Sequence, residues 1–244
     1  MADVRVLPAG DWAAGVTAEL AQRVRAADRL RVCLPTGSTP APLYAELVAA
    51  ARRGEISFAD VEIVLLDEYV GLAADDPARC DVQLRTDLVD RLPVSPLAFH
   101  PIAVDTLAPE DAAAVHDQVA AAGLDIAVVG LGRNGHVGFN EPGSTADSPT
   151  RVVELTAASI ETSADYGAHG QPTHGITLGL DRLLQANEVW LLVTGEHKSD
   201  VLRASLEGAE TPDVPASYLR RHPRLVVWAN EEAAAGLAEE RNAG

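Results

Sequence analysis

LRVCLPTGSTPAPLYAELVAAAR, residues 30–52, reads as a strand, a turn and a helix in succession. Leu30–Leu34 is apolar apart from Arg31, which suits a strand covered on both faces better than one alternating between core and water. Pro35, Gly37 and Pro40 punctuate the turn. Pro42 lies near the first turn of a helix over Pro42–Arg52, where a missing N–H costs little.

The same rhythm extends outward in both directions. Helical spacing marks Asp11–Ala27 upstream, and Val61–Leu66 is a second buried strand followed by a helix over Pro77–Leu92. Further on come a helix at Ala112–Ala122, a strand at Ile126–Leu131 and a helix opening at Ser159–Ala164. Glu188–Val193 and Leu225–Ala229 are strands, and Lys198–Leu206 and Glu231–Glu240 are helices. Short apolar strands alternating with helices predict an α/β fold. The expected form is a three-layer, Rossmann-like open sheet, mostly parallel, with helices on both faces. No repeat, low-complexity tract or linker interrupts the pattern, so residues 1–244 are expected to form a single domain.

Composition excludes several function classes. Hydrophobic residues make up 47% of the 244 and charged residues 23%, enough for a sizeable core. A formal charge of -17 repels nucleic acid and anionic membrane, so neither is an expected partner. An anionic ligand therefore needs a local positive site. No apolar run reaches the roughly 18 residues that span a bilayer. Two unrelated cysteines, Cys33 and Cys80, and no signal peptide lead us to expect a cytoplasmic protein.

In sheets of this kind ligands bind outside the carboxyl ends of the strands. Four segments qualify: Pro35–Pro40, Asp67–Gly71, Gly132–Gly143 and Thr194–Lys198. In the first, Thr36, Gly37, Ser38 and Thr39 combine a tight turn, hydroxyls and a helix start, which suits an anion, although an ordinary capped turn reads the same. In the second, Asp67 and Glu68 are adjacent on an extended chain and point to opposite sides. One is placed to face a cleft as a proton shuttle with a pKa raised by desolvation, the other to be anchored structurally.

The third segment, GLGRNGHVGFNEPG over residues 130–143, is the most informative. Its five glycines exceed what a surface loop needs unless a ligand comes close, with Gly132 and Gly135 the expected points of approach. His136 is its one histidine, and Glu141 is placed to orient the imidazole and stabilise its protonated form. In the fourth segment, Lys198 is placed to bring an ammonium to an anion at a helix start. The seven histidines show no metal-ligand spacing, so no metal or other cofactor is expected.

Residues 34–40, 66–71 and 130–143, together with Asp213-Val-Pro-Ala-Ser217, resemble the glucosamine-6-phosphate deaminase family in order and spacing over nearly the whole chain. The wider superfamily includes 6-phosphogluconolactonases, which share the fold and the Gly-His loop. Asn140-Glu141-Pro142 is the deaminase-type continuation. The resemblance implies a metal-free reaction that opens a pyranose ring, moves a proton between C2 and C1 and exchanges ammonia at C2. By it Asp67 matches the proton shuttle, and His136 with Glu141 the ring-opening pair. Asn134 stands where many members carry Asp; an amide there still hydrogen-bonds but bears no charge. Gly37, Ser38, Thr39 and Lys198 match the phosphate site.

The chain departs from the family pattern at several points. The family's second phosphate cation, an arginine, falls at Asp165 here, and Arg79-Cys80 stands where Ser-Tyr is usual. Arg151 matches a residue near the regulatory site of hexameric members, but Val153 stands where those enzymes tend to have lysine. The family includes monomers and hexamers, so a homo-oligomer stays open. The leading expectation is isomerisation coupled to deamination of an amino sugar phosphate. The alternatives are a paralogue acting on an unphosphorylated or differently substituted amino sugar, a sugar lactone hydrolase, and a non-catalytic sugar sensor.

Overall fold

A computed structural model describes residues 2–237. The first half contains strands β1 (Asp3–Leu7), β2 (Leu30–Leu34), β3 (Val61–Leu65), β4 (Asp67–Val70) and β5 (Ala98–His100). The second half contains β6 (Ile126–Gly130), β7 (Arg151–Glu154), β8 (His174–Thr177), β9 (Glu188–Val193) and β10 (Leu225–Asn230). The helices are α1 (Trp12–Ala26), α2 (Ala41–Arg52), α3 (Cys80–Asp87), α4 (Pro109–Ala121), α5 (Ala157–Asp165), α6 (Leu180–Leu183), α7 (Ser199–Glu207) and α8 (Glu231–Ala234).

Seven strands form one sheet in the order β1-β10-β9-β6-β2-β3-β5. Every pairing within it is parallel. The period-2 geometry of a strand sends alternate residues to opposite faces, and the core divides accordingly. Val32, Leu34, Ile63, Leu65, Trp190 and Trp228 pack on one face with Val16, Leu20, Leu43 and Leu47 of α1 and α2. Cys33, Val64, Val129, Leu191 and Val227 pack on the other with Leu183, Leu202, Leu206 and Ala233 from α6, α7 and α8. This is the expected three-layer α/β arrangement.

Chain order reverses between β2 and β6, which are direct neighbours. The turns after these two strands therefore diverge and leave a crevice at the switch point. The strands that flank the pair are β3 and β9, whose exits are Leu66-Asp67 and Thr194-Gly195.

Asp67–Val70, expected as part of a loop, is strand β4. It pairs antiparallel with β8, which pairs antiparallel with β7, so a small second sheet covers the crevice side. The helix expected over Pro77–Leu92 is also different. It starts only at Cys80 and breaks at Leu88 (φ -131, ψ -69) into a 3₁₀ turn, Val89–Arg91. The late start has a local cause. Asp76 accepts from Ala78 N and holds a turn, while buried Glu68 accepts from Cys80 N and Asp81 N, both at 2.9 Å. The last helix is observed over Glu231–Ala234, and the expected continuation through residues 238–240 lies outside the described residues.

Glu68 also accepts from Tyr69 N at 2.8 Å, so one carboxylate ties three backbone donors of two elements. Glu68→Ala leaves those donors without their partner, at about 1–3 kcal/mol for each that stays buried and unsatisfied. Urea denaturation of this variant is expected to give a loss of at least ~3 kcal/mol. Glu68→Gln, which keeps an acceptor, is expected to lose less.

Candidate active site

The four segments singled out by the strand-exit rule meet in one cleft of about 610 Å³. Its walls include Thr36, Gly37, Ser38 and Thr39 after β2, Asp67 after β3, Gly132, Asn134 and His136 after β6, and Lys198 after β9. The fifth wall is α5, which presents Ser159, Glu161, Thr162 and Asp165, with Tyr166 just beyond its end. Glu141 is not on the lining but directly behind it. Gly135, expected to approach a ligand, is not on the lining either. It is buried against Val214, and its carbonyl accepts from Ala216 N at 2.8 Å, so it supports the loop from below.

Asp67 is buried at the cleft wall where β3 passes into β4. Burial pushes its carboxyl up to about 7, against the opposing pull of the His136 charge and of the Cys80 thiol. Gly138 makes the close approach possible: its φ is +57, and a Cβ there would lie 3.2 Å from Asp67 Oδ2 and 2.8 Å from Thr177 Oγ1. Glu68, one residue on, faces the opposite side and is wholly buried among backbone donors. The two adjacent carboxylates thus divide into one at the cleft and one anchor.

The imidazole of His136 lies on Gly132, where an added Cβ would sit 2.3 Å from the ring. Its Nδ1 is 3.3 Å from Glu141 Oε2, an ion-pair distance without hydrogen-bond alignment. Glu141 is itself held by Ser159 Oγ at 2.6 Å and by Asn134 Nδ2 at 2.8 Å. Burial opposes its ionisation, but His136, Ser159 and Asn134 outweigh burial and hold it at about 2. Asn134 also accepts from His136 N through Oδ1 at 3.1 Å. An amide here donates to Glu141 and accepts from the loop, a pair of tasks an ionised carboxylate cannot perform. The result is a carboxylate that stays charged beside an imidazole, in the same cleft as a carboxyl whose pKa burial raises toward neutrality.

At the other end of the cleft, Lys198 Nζ donates to Thr39 Oγ1 at 2.9 Å. Burial pushes the ammonium down to about 8, and the charge of Arg133 acts in the same direction. Ser38 N donates to Tyr166 Oη at 3.0 Å, and the same hydroxyl lies over Gly37. Asp165 lines this cleft and is exposed. Arg151 is committed elsewhere: it donates to Asn140 Oδ1, Pro149 O and Ser144 Oγ, at 2.9, 3.0 and 2.8 Å, and so braces the loop that carries Glu141.

Sequence reasoning missed Thr177, which accepts from Phe139 N, and Ser159 and Tyr166, which close the cleft from α5. No motif marks them; the antiparallel sheet and α5 bring them in from positions distant in the chain. No group of three or more His, Cys, Asp or Glu side chains suited to a metal occurs among the described residues. No helix among them is long and apolar enough to cross a membrane.

Residues 8–228 match the family model described as glucosamine-6-phosphate isomerases/6-phosphogluconolactonase. The chain belongs to this family. It is 43% identical to a glucosamine-6-phosphate deaminase of Shewanella loihica over 211 residues, 85% of this chain and 79% of that one. A glucosamine-6-phosphate deaminase of Rhodopirellula baltica is 34% identical over 244 residues, 98% of this chain and 97% of that one. Among solved structures, a monomeric glucosamine-6-phosphate deaminase superposes with a TM-score of 0.90 at 29% identity, covering 97% of this chain and all (100%) of that one. A 6-phosphogluconolactonase of Thermotoga maritima shares the fold, with a TM-score of 0.76 at 19% identity over 95% of this chain and 100% of that one.

The buried Asp67 makes a stability prediction with a definite sign. Its folded pKa lies above the ordinary carboxylate value, so its contribution to stability is complete at low pH and is lost as pH rises toward about 7. Asp67→Asn removes that penalty. Its melting temperature is expected to exceed that of the parent by a gap that widens from about pH 4 to pH 7 and then levels off.

Proposed function

We propose that the protein converts an amino sugar phosphate, glucosamine 6-phosphate, into the ketose phosphate and ammonia, by aldose-ketose isomerisation coupled to deamination. The observation that carries this reading is that Asp67 and His136 line one cleft, with Glu141 behind His136. Ring opening needs a group that gives a proton to the ring oxygen while the anomeric hydroxyl loses one. His136 suits it, because it lines the cleft with its Nδ1 3.3 Å from the ionised carboxylate of Glu141. Asp67 then takes the proton from C2 and returns it to C1, which its pKa near neutrality suits in both directions. As that shift occurs the amine gives a proton to O1, so the product is a C2 imine; water adds across it, and the amino group leaves as ammonia with the proton of the new hydroxyl. No electron donor or acceptor enters.

Asn134 and Ser159 act here as positioning residues through their hydrogen bonds to Glu141. The Gly37–Thr39 turn and Lys198 hold the phosphoryl group. Deaminase relatives at up to 43% identity support this chemistry over lactone hydrolysis, for which the likeness is one of fold. Two buried free thiols, Cys33 and Cys80, agree with a cytoplasmic setting.

Ammonia release from glucosamine 6-phosphate and from free glucosamine tests the reading. The phosphorylated sugar is expected to be the substrate, and Asp67→Asn to lose about 10²- to 10⁴-fold in kcat. Release from the free sugar alone overturns the phosphate assignment; hydrolysis of a sugar lactone that survives Asp67→Asn overturns the reaction. The pH profile of kcat/KM reports the free enzyme. It is expected to rise as pH passes about 7, where Asp67 becomes a base, and to fall above about 8, where Lys198 loses its charge.

A further inference from the structure

We propose that Arg133 is the second cation of the anion subsite and grips the substrate's phosphoryl group together with Lys198 and the Gly37–Thr39 turn. The proposal rests on the amino sugar phosphate reading and supplies what Asp165 leaves missing from it.

Strand order places Arg133. β6 lies between β2 and β9, so the segment leaving β6 at Gly130 emerges between the turn that carries Thr39 and the one that carries Lys198. Those two turns already touch across it, through Lys198 Nζ on Thr39 Oγ1 at 2.9 Å. Arg133 stands three residues beyond Gly130, on the lining of the same cleft. Its side chain is exposed, and no ion pair or hydrogen bond ties it to another described residue. Other arginines are committed: Arg79 to Asp81 and Asp105, Arg182 to Asp117, Arg31 to Glu62, Arg151 to Asn140 and Ser144.

Two cations that share a wall without a paired carboxylate repel each other, and an anion between them relieves the repulsion. That mutual effect is registered at Lys198, whose ammonium Arg133 destabilises. Glu161 and Asp165 stand on the α5 wall of the cleft, but both are exposed, where water and salt screen them. Lys198 is largely enclosed, so its field on a bound phosphate is screened less. A guanidinium from the β6 loop also matches two phosphate oxygens at once, which a second ammonium does not. The subsite thus takes its fork from the loop that carries His136 instead of from the helix that faces it.

Calorimetric binding of fructose 6-phosphate and of fructose to the parent and to Arg133→Gln tests this. The parent is expected to prefer the phosphorylated sugar, and Arg133→Gln to weaken that sugar by about 10- to 100-fold while fructose changes by less than about twofold. Arg133→Lys is expected to fall between them. The melting temperature of each variant is expected to move by less than about 2 °C, because the side chain has no partner to lose. A parent preference that Arg133→Gln retains within about threefold overturns the proposal and leaves the phosphate reading standing. Absence of any preference in the parent overturns the phosphate reading, and the proposal with it.

Discussion

The chemistry of the cleft depends on how two adjacent carboxylates are buried where the chain leaves the parallel sheet. Strand β3 ends at Leu65, and Asp67 and Glu68 open β4, which belongs to the second sheet. Extended geometry turns one side chain toward the cleft and the other away from it. Glu68 is offset by three backbone donors, and in taking them it fixes the start of α3 and the course of residues 76–81. Burial raises the pKa of both carboxyls, but Glu68 is taken up by its backbone donors whereas Asp67 has no such set and stays at the cleft wall. The anchor and the buried carboxyl at the cleft wall are consequences of the same turn of chain.

Charge is handled by contrast between the whole and the part. The chain carries -17 overall, yet the cleft end at Thr39 gathers Lys198 and Arg133. Such a patch within an acidic surface focuses an anion on one place and discourages binding elsewhere. The two ends of the cleft are therefore tuned in opposite directions. At Asp67, burial moves a carboxyl up toward neutrality; at Lys198, it moves an ammonium down toward neutrality. Both shifts come chiefly from desolvation at the exits of the strands.

Much of this is legible in the amino-acid sequence, for identifiable reasons. Strands β2, β3, β6, β9 and β10 are buried on both faces, so each reads as an apolar run followed by polar or glycine-rich residues. That pairing of signals also locates Thr39, Asp67, His136 and Lys198. The antiparallel sheet is not legible: β4 begins with two carboxylates, β7 is Arg-Val-Val-Glu, and β8 opens on His174-Gly175. The pairing of β4 with β8 joins residues about a hundred positions apart, which local pattern does not encode. Ser159, Thr177 and Tyr166 reach the site only through that closure. Gly135 shows the opposite error, since its neighbours line the cleft while it faces Val214. Glycine spacing announces close approach, but not to what.

The central claim is that burial beside the cleft, rather than a hydrogen-bonding partner, poises Asp67 as the proton carrier. A carbon-13 NMR titration of its carboxyl, assigned by the signal missing from Asp67→Asn, tests it most directly. The account predicts a midpoint near pH 7 in the free protein. A midpoint near the ordinary aspartate value of 3.8 contradicts it.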